Sequence, residues 1–205
     1  MRRMRVRRLV AALLLCAHMY PDLAAATPWN LPTPLGDYNT QLSFEVDSTW
    51  HTVHGTTTGV SGRVWIENPA DSASLRAEIS VPVAQFNTDN SMRDDKLREV
   101  MAAEEYPKVK FDLKSADIPC DPAVMVEASR CAILLRGNLS IRSITHAVEI
   151  QASVTKQGKD YVVQGSFPIT WAEYEVEDPS ILIARVDPIA TITFALTLKG
   201  QPTHE

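Results

Sequence analysis

Five acidic side chains lie close together near the middle of the chain, where two of them could pair for acid–base chemistry. They are Asp94, Asp95, Glu99, Glu104 and Glu105. Two carboxylates held near each other can donate and accept a proton during a reaction. Basic residues are interleaved with these acids, however, and apolar residues recur at helical spacing. We therefore interpret most of the charges as the solvated face of a helix.

Histidine and hydroxyl side chains form two further groups. His51 and His54 could share a metal ion, but residues three apart in a strand point to opposite faces, so only a turn would bring both to one ion. Ser143, Thr145 and His146 do not form a recognisable nucleophile motif. The sequence also has no glycine-rich phosphate loop. We therefore expect a protein that is not an enzyme and that holds no metal ion or organic cofactor for catalysis.

The first 26 residues have the composition of a secretory signal peptide. Five arginines precede the apolar run LVAALLLCAHMY, and small residues follow as far as Ala26. Such a leader is removed on export, and the apolar run is shorter than the about 20 residues that span a bilayer. We expect a periplasmic or secreted protein with no stable membrane insertion after cleavage. A retained membrane anchor is the alternative.

Removal of the signal peptide changes the charge of the chain. The full sequence has 20 basic and 25 acidic residues, and the leader contains five arginines and Asp22. The mature chain then carries 15 basic and 24 acidic residues, a net charge of −9. A balance this acidic argues against nucleic acid as a partner, because nucleic acid binds through basic surfaces.

Two cysteines, Cys120 and Cys131, belong to the mature chain. An even number of cysteines in an exported protein indicates a disulfide, here at the base of a long hairpin. A metal site is the alternative, but no histidine lies near either cysteine in the sequence.

From residue 41 onward, apolar residues alternate with polar ones, which is the period of a half-buried strand. The last run places Ala190, Ile192, Phe194, Leu196 and Leu198 on one face. Eight or nine such runs follow one another with turn residues between them. They predict an all-β fold, an antiparallel sandwich or barrel, in one domain over residues 41–200. Residues 27–40, with three prolines and a glycine, read as an extended lead-in without an element.

The acidic stretch is the exception to this pattern and predicts one amphipathic helix. Leu97, Val100 and Met101 recur at helical spacing, and the segment from Ser91 has the form of a capping box. Pro107 disfavours helical geometry in the residue before it, so we expect it to end the helix. The predicted helix is about 20 Å long and lies along the edge or mouth of the β structure.

The same stretch resembles the signature of the YceI-like family, in which an R-D-x-x-L-[KR] helix precedes a Y-P-x-hydrophobic-x-F strand. Arg93-Asp94, Leu97-Arg98, Tyr106-Pro107 and Phe111 match that signature in order and spacing. GNLSIRSITHAVEI resembles the family's G-x-L-x-I-x-x-[IV]-T-x-x-V strand pair. The resemblance extends over about residues 37–200. Lys96 departs from it, because many members carry histidine there.

The resemblance implies an extended lipocalin-like antiparallel β-barrel, which we expect to have eight strands and one amphipathic helix. It also implies non-catalytic binding of a long amphiphile in the pore: a polyisoprenoid, an isoprenoid quinone or a fatty-acid derivative. The residues expected to line the pore are Phe44, Val46, Ile79, Val81, Leu97, Met101, Phe111, Phe167, Ile192 and Phe194. The basic residues expected near the headgroup are Arg93, Lys96 and Arg98.

A protein of another class fits the same alternation. Its barrel would be fully packed, and it would be an interaction or stress-response protein that engages a membrane redox partner without a lipid. Periodicity does not distinguish a tightly interdigitated core from the lining of a pore. The sequence also leaves a homodimer open.

Overall fold

The computed structural model describes residues 29–68, 71–180 and 185–201. The predicted signal peptide at residues 1–26 lies outside these ranges. None of the helices within them has both the length and the apolar composition needed to cross a lipid bilayer.

A single antiparallel sheet forms most of the described chain. Its eleven strands are β1 (Thr33–Leu35), β2 (Thr40–Ser48), β3 (Thr52–Thr57), β4 (Ser61–Ile66), β5 (Leu75–Pro82), β6 (Phe86–Asn87), β7 (Lys108–Asp117), β8 (Arg130–Ile141), β9 (Ile144–Gln157), β10 (Asp160–Thr170) and β11 (Val186–Leu198). Their order across the sheet is β1-β4-β5-β7-β8-β9-β10-β11-β2-β3-β6. One α-helix, α1 (Ser91–Val100), follows β6, and short 3₁₀ turns occupy Ser72–Ser74, Val83–Gln85, Pro122–Val124 and Trp171–Tyr174.

The predicted all-β antiparallel fold with one helix is confirmed, whereas the predicted count of eight strands is wrong. Nine strands have six residues or more, and β1 and β6 add only three and two residues. Segments this short carry no measurable alternation, so the sequence pattern misses them. The sheet is curled, but it does not close into a barrel, because the edge strands β1 and β6 do not pair with each other.

The lead-in at residues 27–40 was expected to contain no element, and this expectation is also wrong. Thr33–Leu35 pairs with β4, and Trp29 forms an isolated bridge with Gly200. Trp29 is 2% exposed and packs edge-on against the ring of Tyr161. Burial of this large ring fixes the lead-in against one end of the sheet although its prolines exclude a long strand.

The buried apolar side chains form two clusters, which combine inward-facing residues of the sheet with residues of α1 and of the connections. The lower core contains Trp29, Leu35, Val64, Leu75, Ala77, Leu113, Ala116, Cys131, Ile133, Leu135, Ile150, Val154, Tyr161, Val163, Leu196 and Leu198. The upper core contains Val83, Val100, Met101, Leu139, Ile141, Tyr174 and Val176. Phe111, Val148 and Phe167 are half-buried and pack against both clusters. They therefore mark the boundary between the two ends of the curled sheet.

Helix α1 covers the upper core and is shorter than predicted. Asn90, not Ser91, is its N-cap, and its side chain accepts a hydrogen bond from the Arg93 N–H at 3.1 Å. The helix ends at a Schellman motif, in which the Ala102 N–H donates to Glu99 O and the Ala103 N–H to Arg98 O. Ala102 has φ +48° there. Pro107 therefore does not end the helix.

The predicted disulfide is confirmed. Cys120, in the β7–β8 connection, is bonded to Cys131 at the start of β8, with Cα atoms 6.2 Å apart. Cys131 belongs to the lower core and Cys120 packs against it. The bond therefore strengthens the end of the sheet opposite to α1.

Candidate functional site

An apolar cavity of about 590 Å³ lies inside the upper end of the curled sheet. Most of its lining comes from inward-facing side chains of the sheet and from the inner face of α1. The lining residues on the strands are Leu42, Ser43, Phe44, Val46, Ser48, Val53, Thr57, Val81, Phe86, Val109, Leu139, Ile141, Phe167, Ile169, Val186, Ala190 and Ile192. Those on α1 and next to it are Thr88, Asn90, Met92, Arg93, Lys96, Leu97, Val100 and Met101. A space of this size is typical of a site for a small organic ligand.

Seven of the ten residues expected to line an apolar pore do line this cavity. They are Phe44, Val46, Val81, Leu97, Met101, Phe167 and Ile192. The three others, Ile79, Phe111 and Phe194, lie on the same inward faces but are not part of its lining. All three pack against the lower core, and Phe111 packs against the upper core as well. Alternation thus predicts the inward face of each strand but not the depth at which the cavity ends.

The lining ends at different depths on different strands. Leu42 and Leu139, the strand partners of Phe194 and Phe111, belong to it, whereas β5, β7, β10 and β11 stop one inward position higher. On β11 it includes Ile192 but not Phe194, and on β10 it includes Phe167 but not Gly165. On β7 it includes Val109 but not Phe111. We call Ile79, Phe111 and Phe194 the floor residues, because they occupy the next inward positions below the lining.

Two floor residues fill space that a glycine leaves free on an adjacent strand. A Cβ atom placed on Gly137 would come within 2.7 Å of the Phe111 ring, and one placed on Gly165 within 2.9 Å of the Phe194 ring. Both glycines face inward, in line with the buried residues of β8 and β10. The rings therefore lie against the opposing backbone, where a larger residue would displace them. The Phe44 ring lies over Gly55 in the same way, but in the wall of the cavity.

The mouth of the cavity is marked by lining residues that are also exposed to solvent. Trp50 and His51 belong to the β2–β3 turn, and Met92 to the first turn of α1. Trp50 is 69% exposed and Met92 is 79% exposed. Trp50 and Met92 belong to no alternating run, so the sequence pattern does not indicate them, and His51 was considered only as a metal ligand. A tryptophan at the tip of a hairpin was the available signal.

The basic residues expected at a headgroup have different positions. Arg93 and Lys96 line the cavity, whereas Arg98 does not and forms an ion pair with Asp95 at 2.9 Å. The Arg93 guanidinium donates from Nε to Thr88 Oγ1 at 2.8 Å, and from Nη2 to the Thr88 carbonyl. Lys96 Nζ contacts Glu99 Oε1 at 2.9 Å, and its side chain is 41% exposed. Lys96 therefore lines the cavity with a partly exposed ammonium group, whereas the Arg93 guanidinium is bound to Thr88.

The residues considered for catalysis do not converge. His54 contacts Glu45 on the outer face at 3.0 Å, whereas His51 is at the mouth. His146 stacks edge-on against Tyr174 and contacts the Glu173 carbonyl. Burial, and secondarily the charge of Glu173, raises the pKa of the Tyr174 hydroxyl. Within residues 29–68, 71–180 and 185–201, no group of three or more side chains could hold a metal ion.

A second depression, of about 800 Å³, lies on the opposite face of the sheet, over β8 to β11. It is larger than the interior cavity, but it is open and its lining includes outward polar side chains such as Gln151, Ser153, Gln164 and Thr193. We regard the interior cavity as the candidate site because it is apolar and surrounded by strands. Its presence also argues against the fully packed barrel that the interaction-protein alternative requires.

An all-β protein with one curled antiparallel sheet and an apolar interior cavity is the class that this fold and site define. The chain belongs to the YceI-like domain family, whose model matches residues 35–201. The resemblance found in the helix and strand motifs is thereby confirmed. No protein of curated function matches the sequence significantly.

Solved structures of three proteins share the fold. Burkholderia cenocepacia BcnA is 22% identical, with a TM-score of 0.61 over 77% of this chain and 95% of that chain. A polyisoprenoid binding domain from Saccharophagus degradans, implicated in plant cell wall breakdown, is 13% identical, with a TM-score of 0.63 over 82% and 97%. A Campylobacter jejuni YCEI protein is 16% identical, with a TM-score of 0.54 over 73% and 85%.

Proposed function

We propose that the protein binds the hydrocarbon tail of a single long amphiphile, a polyisoprenoid, an isoprenoid quinone or a fatty-acid derivative, in the interior cavity. The observation that carries the proposal is the apolar cavity of about 590 Å³, in which residues from eight strands and α1 face one space. The polyisoprenoid binding domain with the same fold supports the ligand class. The protein would store or carry the lipid and would not transform it.

The expected affinity is consistent with this proposal. Burial of hydrocarbon contributes ~0.8 kcal/mol per CH₂ group. Association and ordering cost on the order of 4–15 kcal/mol. A tail of about four isoprene units therefore offsets the cost of binding, whereas one unit does not. The gain depends on a lining that stays apolar, because an uncompensated charge among these residues would remain poorly hydrated.

The proposal is tested by a charge placed on the cavity lining, with its neighbour on the outer face as control. In Ile192→Asp the new carboxylate enters the lining, whereas in Thr193→Asp it enters the exposed face of the same strand. Native mass spectrometry and lipid extraction of protein isolated from its own cell envelope should detect lipid in the wild type and in Thr193→Asp. Folded Ile192→Asp should contain none.

A second variant makes the test independent of the charge. Ala190 is buried and lines the cavity, so Ala190→Phe fills part of the space with an apolar ring. Circular dichroism identifies folded preparations. Lipid at wild-type levels in folded Ile192→Asp and in folded Ala190→Phe would show that the cavity is not the site.

We further propose that a polar or anionic headgroup stays at the mouth beside Lys96. Arg98 lies on the same helix but outside the lining, so Arg98→Ala is the matched control for Lys96→Ala. We expect Lys96→Ala to weaken binding of a prenyl phosphate by about tenfold, the effect of one charge-assisted hydrogen bond of about 1.5 kcal/mol. Binding of the uncharged prenyl alcohol should not change. Equal effects of the two substitutions on the phosphate would contradict this placement.

Export by the signal peptide at residues 1–26 is also proposed, and the disulfide supports it because disulfides persist in oxidising compartments. N-terminal sequencing of protein from the periplasmic fraction should begin at about residue 27. Protein found only in the cytoplasm with an intact Met1 would contradict the proposal.

A further inference from the structure

The floor residues limit the length of the hydrocarbon chain that the cavity can hold. The proposed function does not specify this length. Phe111 and Phe194 each lie across the inner face of the sheet against a glycine of an adjacent strand, Gly137 and Gly165. The two rings approach the interior from β7 and from β11, which three other strands separate in the sheet. Each ring therefore occupies the inward position directly below the last lining residue of its own strand.

The space below the floor is occupied by closely packed side chains. Ile150 is 3% exposed, Val154 1% and Leu198 2%, and Trp29 closes this end with 2% exposure. Cys131 and Ile133 belong to the same cluster, beside the disulfide. A hydrocarbon chain longer than the cavity could extend downward only by displacing this core, which close packing makes unfavourable.

The cavity volume can be converted into a chain length. At ~30 Å³ per non-hydrogen atom, the share of one water molecule in the liquid, a volume of about 590 Å³ holds on the order of 20 carbon atoms. This corresponds to about four isoprene units or one common fatty acyl chain. Part of this volume lies at the mouth, beside the exposed side chains of Trp50 and Met92.

We infer that this protein selects amphiphiles with one chain of up to about 20 carbons, and that Phe111 and Phe194 set this limit. The inference rests on the proposed function and narrows its ligand class, because full-length polyprenyl chains of twice that length would leave their outer half in water. Carbons beyond the limit remain solvated and add no binding energy. Affinity should therefore stop rising with chain length.

The test is a series of prenyl alcohols of about 10, 15, 20, 30 and 40 carbons, spanning the capacity estimated above. Their dissociation constants for the delipidated mature protein are measured by competition with a fluorescent fatty acid. We expect affinity to rise by at least about tenfold per added isoprene unit up to about 20 carbons, and by less than about twofold per unit beyond that length. A steady rise up to the longest alcohol would overturn the limit but not the proposed function. If neither the fluorescent fatty acid nor any of the alcohols binds, both the proposed function and the limit are wrong.

Variants of the floor decide which residues set the limit. Phe111→Ala and Phe194→Ala remove rings below the lining. The break, meaning the chain length at which affinity stops rising, should therefore move by about one isoprene unit toward longer chains. Thr193→Ala, on the exposed face beside Phe194, should leave the break at the wild-type length. If folded Ala variants keep the wild-type break, the floor residues do not set it. Phe194→Leu provides a smaller truncation if an Ala variant does not fold, and the wild-type series tests the limit without any variant.

Discussion

The Asp94 carboxylate accepts two hydrogen bonds from Thr88, from its backbone N–H at 2.9 Å and from its hydroxyl at 2.6 Å. Both residues are buried, Asp94 at 8% exposure and Thr88 at 4%. Arg93 donates to the same threonine from the other side. The Arg-Asp pair of the family signature thus fixes the start of α1 to the residues after β6, and with it one side of the cavity mouth.

Loss of the Asp94 carboxylate should destabilise the protein. Asp94→Ala leaves the two Thr88 donors without their acceptor in a buried position, which costs about 1–3 kcal/mol for each unsatisfied group. Asp95→Ala, one residue further and exposed, should change the free energy of unfolding by no more than about 0.5 kcal/mol. Urea unfolding followed by circular dichroism measures both, and equal effects would contradict the anchoring role of Asp94.

A glycine at the end of α1 should stabilise the protein. Ala102 has φ +48° in the Schellman motif, a conformation that costs a residue with a Cβ about 1–2 kcal/mol. Ala102→Gly removes this cost, although glycine gains freedom in the unfolded chain. We expect a net gain of up to about 1 kcal/mol in the free energy of unfolding. Ala103→Gly, next to it without positive φ, should not stabilise, and a stabilisation of the same size there would refute this explanation.

The effect of Gly55→Ala on stability should depend on the side chain at position 44. A Cβ atom at this position would overlap the ring, so Gly55→Ala has to displace Phe44 into the cavity. We expect a loss of about 1–3 kcal/mol in stability and a lower capacity for lipid. Phe44→Leu should remove most of the overlap, so a double-mutant cycle on urea midpoints should give a favourable coupling energy. Additive effects would show that the two residues do not interact in this way.

Removal of the disulfide should weaken the fold without changing the cavity. Cys120 and Cys131 are separated by 11 positions, and closing a loop of this length contributes about 3 kcal/mol in the chain-entropy model. The Cys120→Ala/Cys131→Ala protein should unfold at a lower urea concentration than the oxidised wild type, and a reductant should lower the wild-type midpoint only. Dissociation constants for lipid should agree between the folded proteins, because the bond lies at the lower core. Equal urea midpoints for the variant and the oxidised wild type would contradict this prediction.

The inward face of each long strand could be predicted from the sequence because alternation follows directly from the geometry of a strand. Ile192 and Phe194 show where this reasoning ends. They occupy equivalent positions in one alternating run, yet Ile192 lines the cavity and Phe194 lies under it. The difference depends on what neighbouring strands place opposite each residue, here a glycine across from Phe194.

The ends of elements were less predictable, for a related reason. Asn90 caps α1 because its side chain reaches the Arg93 N–H, and Ala102 ends the helix by a backbone conformation that its residue type does not favour. A capping box that begins at Ser91 would place the N-cap one residue after the observed Asn90. The sequence pattern alone does not distinguish these two positions. The role of Thr88 as the partner of both Arg93 and Asp94 could not be found from spacing, because it lies in the connection between β6 and α1.

Two of the four tryptophans of the chain, Trp50 and Trp171, border the cavity, whereas Trp29 is buried at the other end and Trp65 lies beneath the Arg63 guanidinium. Trp50 at the mouth is largely in water and would lose that hydration when an apolar chain enters beside it. The indole emission of this chain should therefore shift to the blue on loading. Intrinsic tryptophan fluorescence would thus report whether the cavity is empty or occupied.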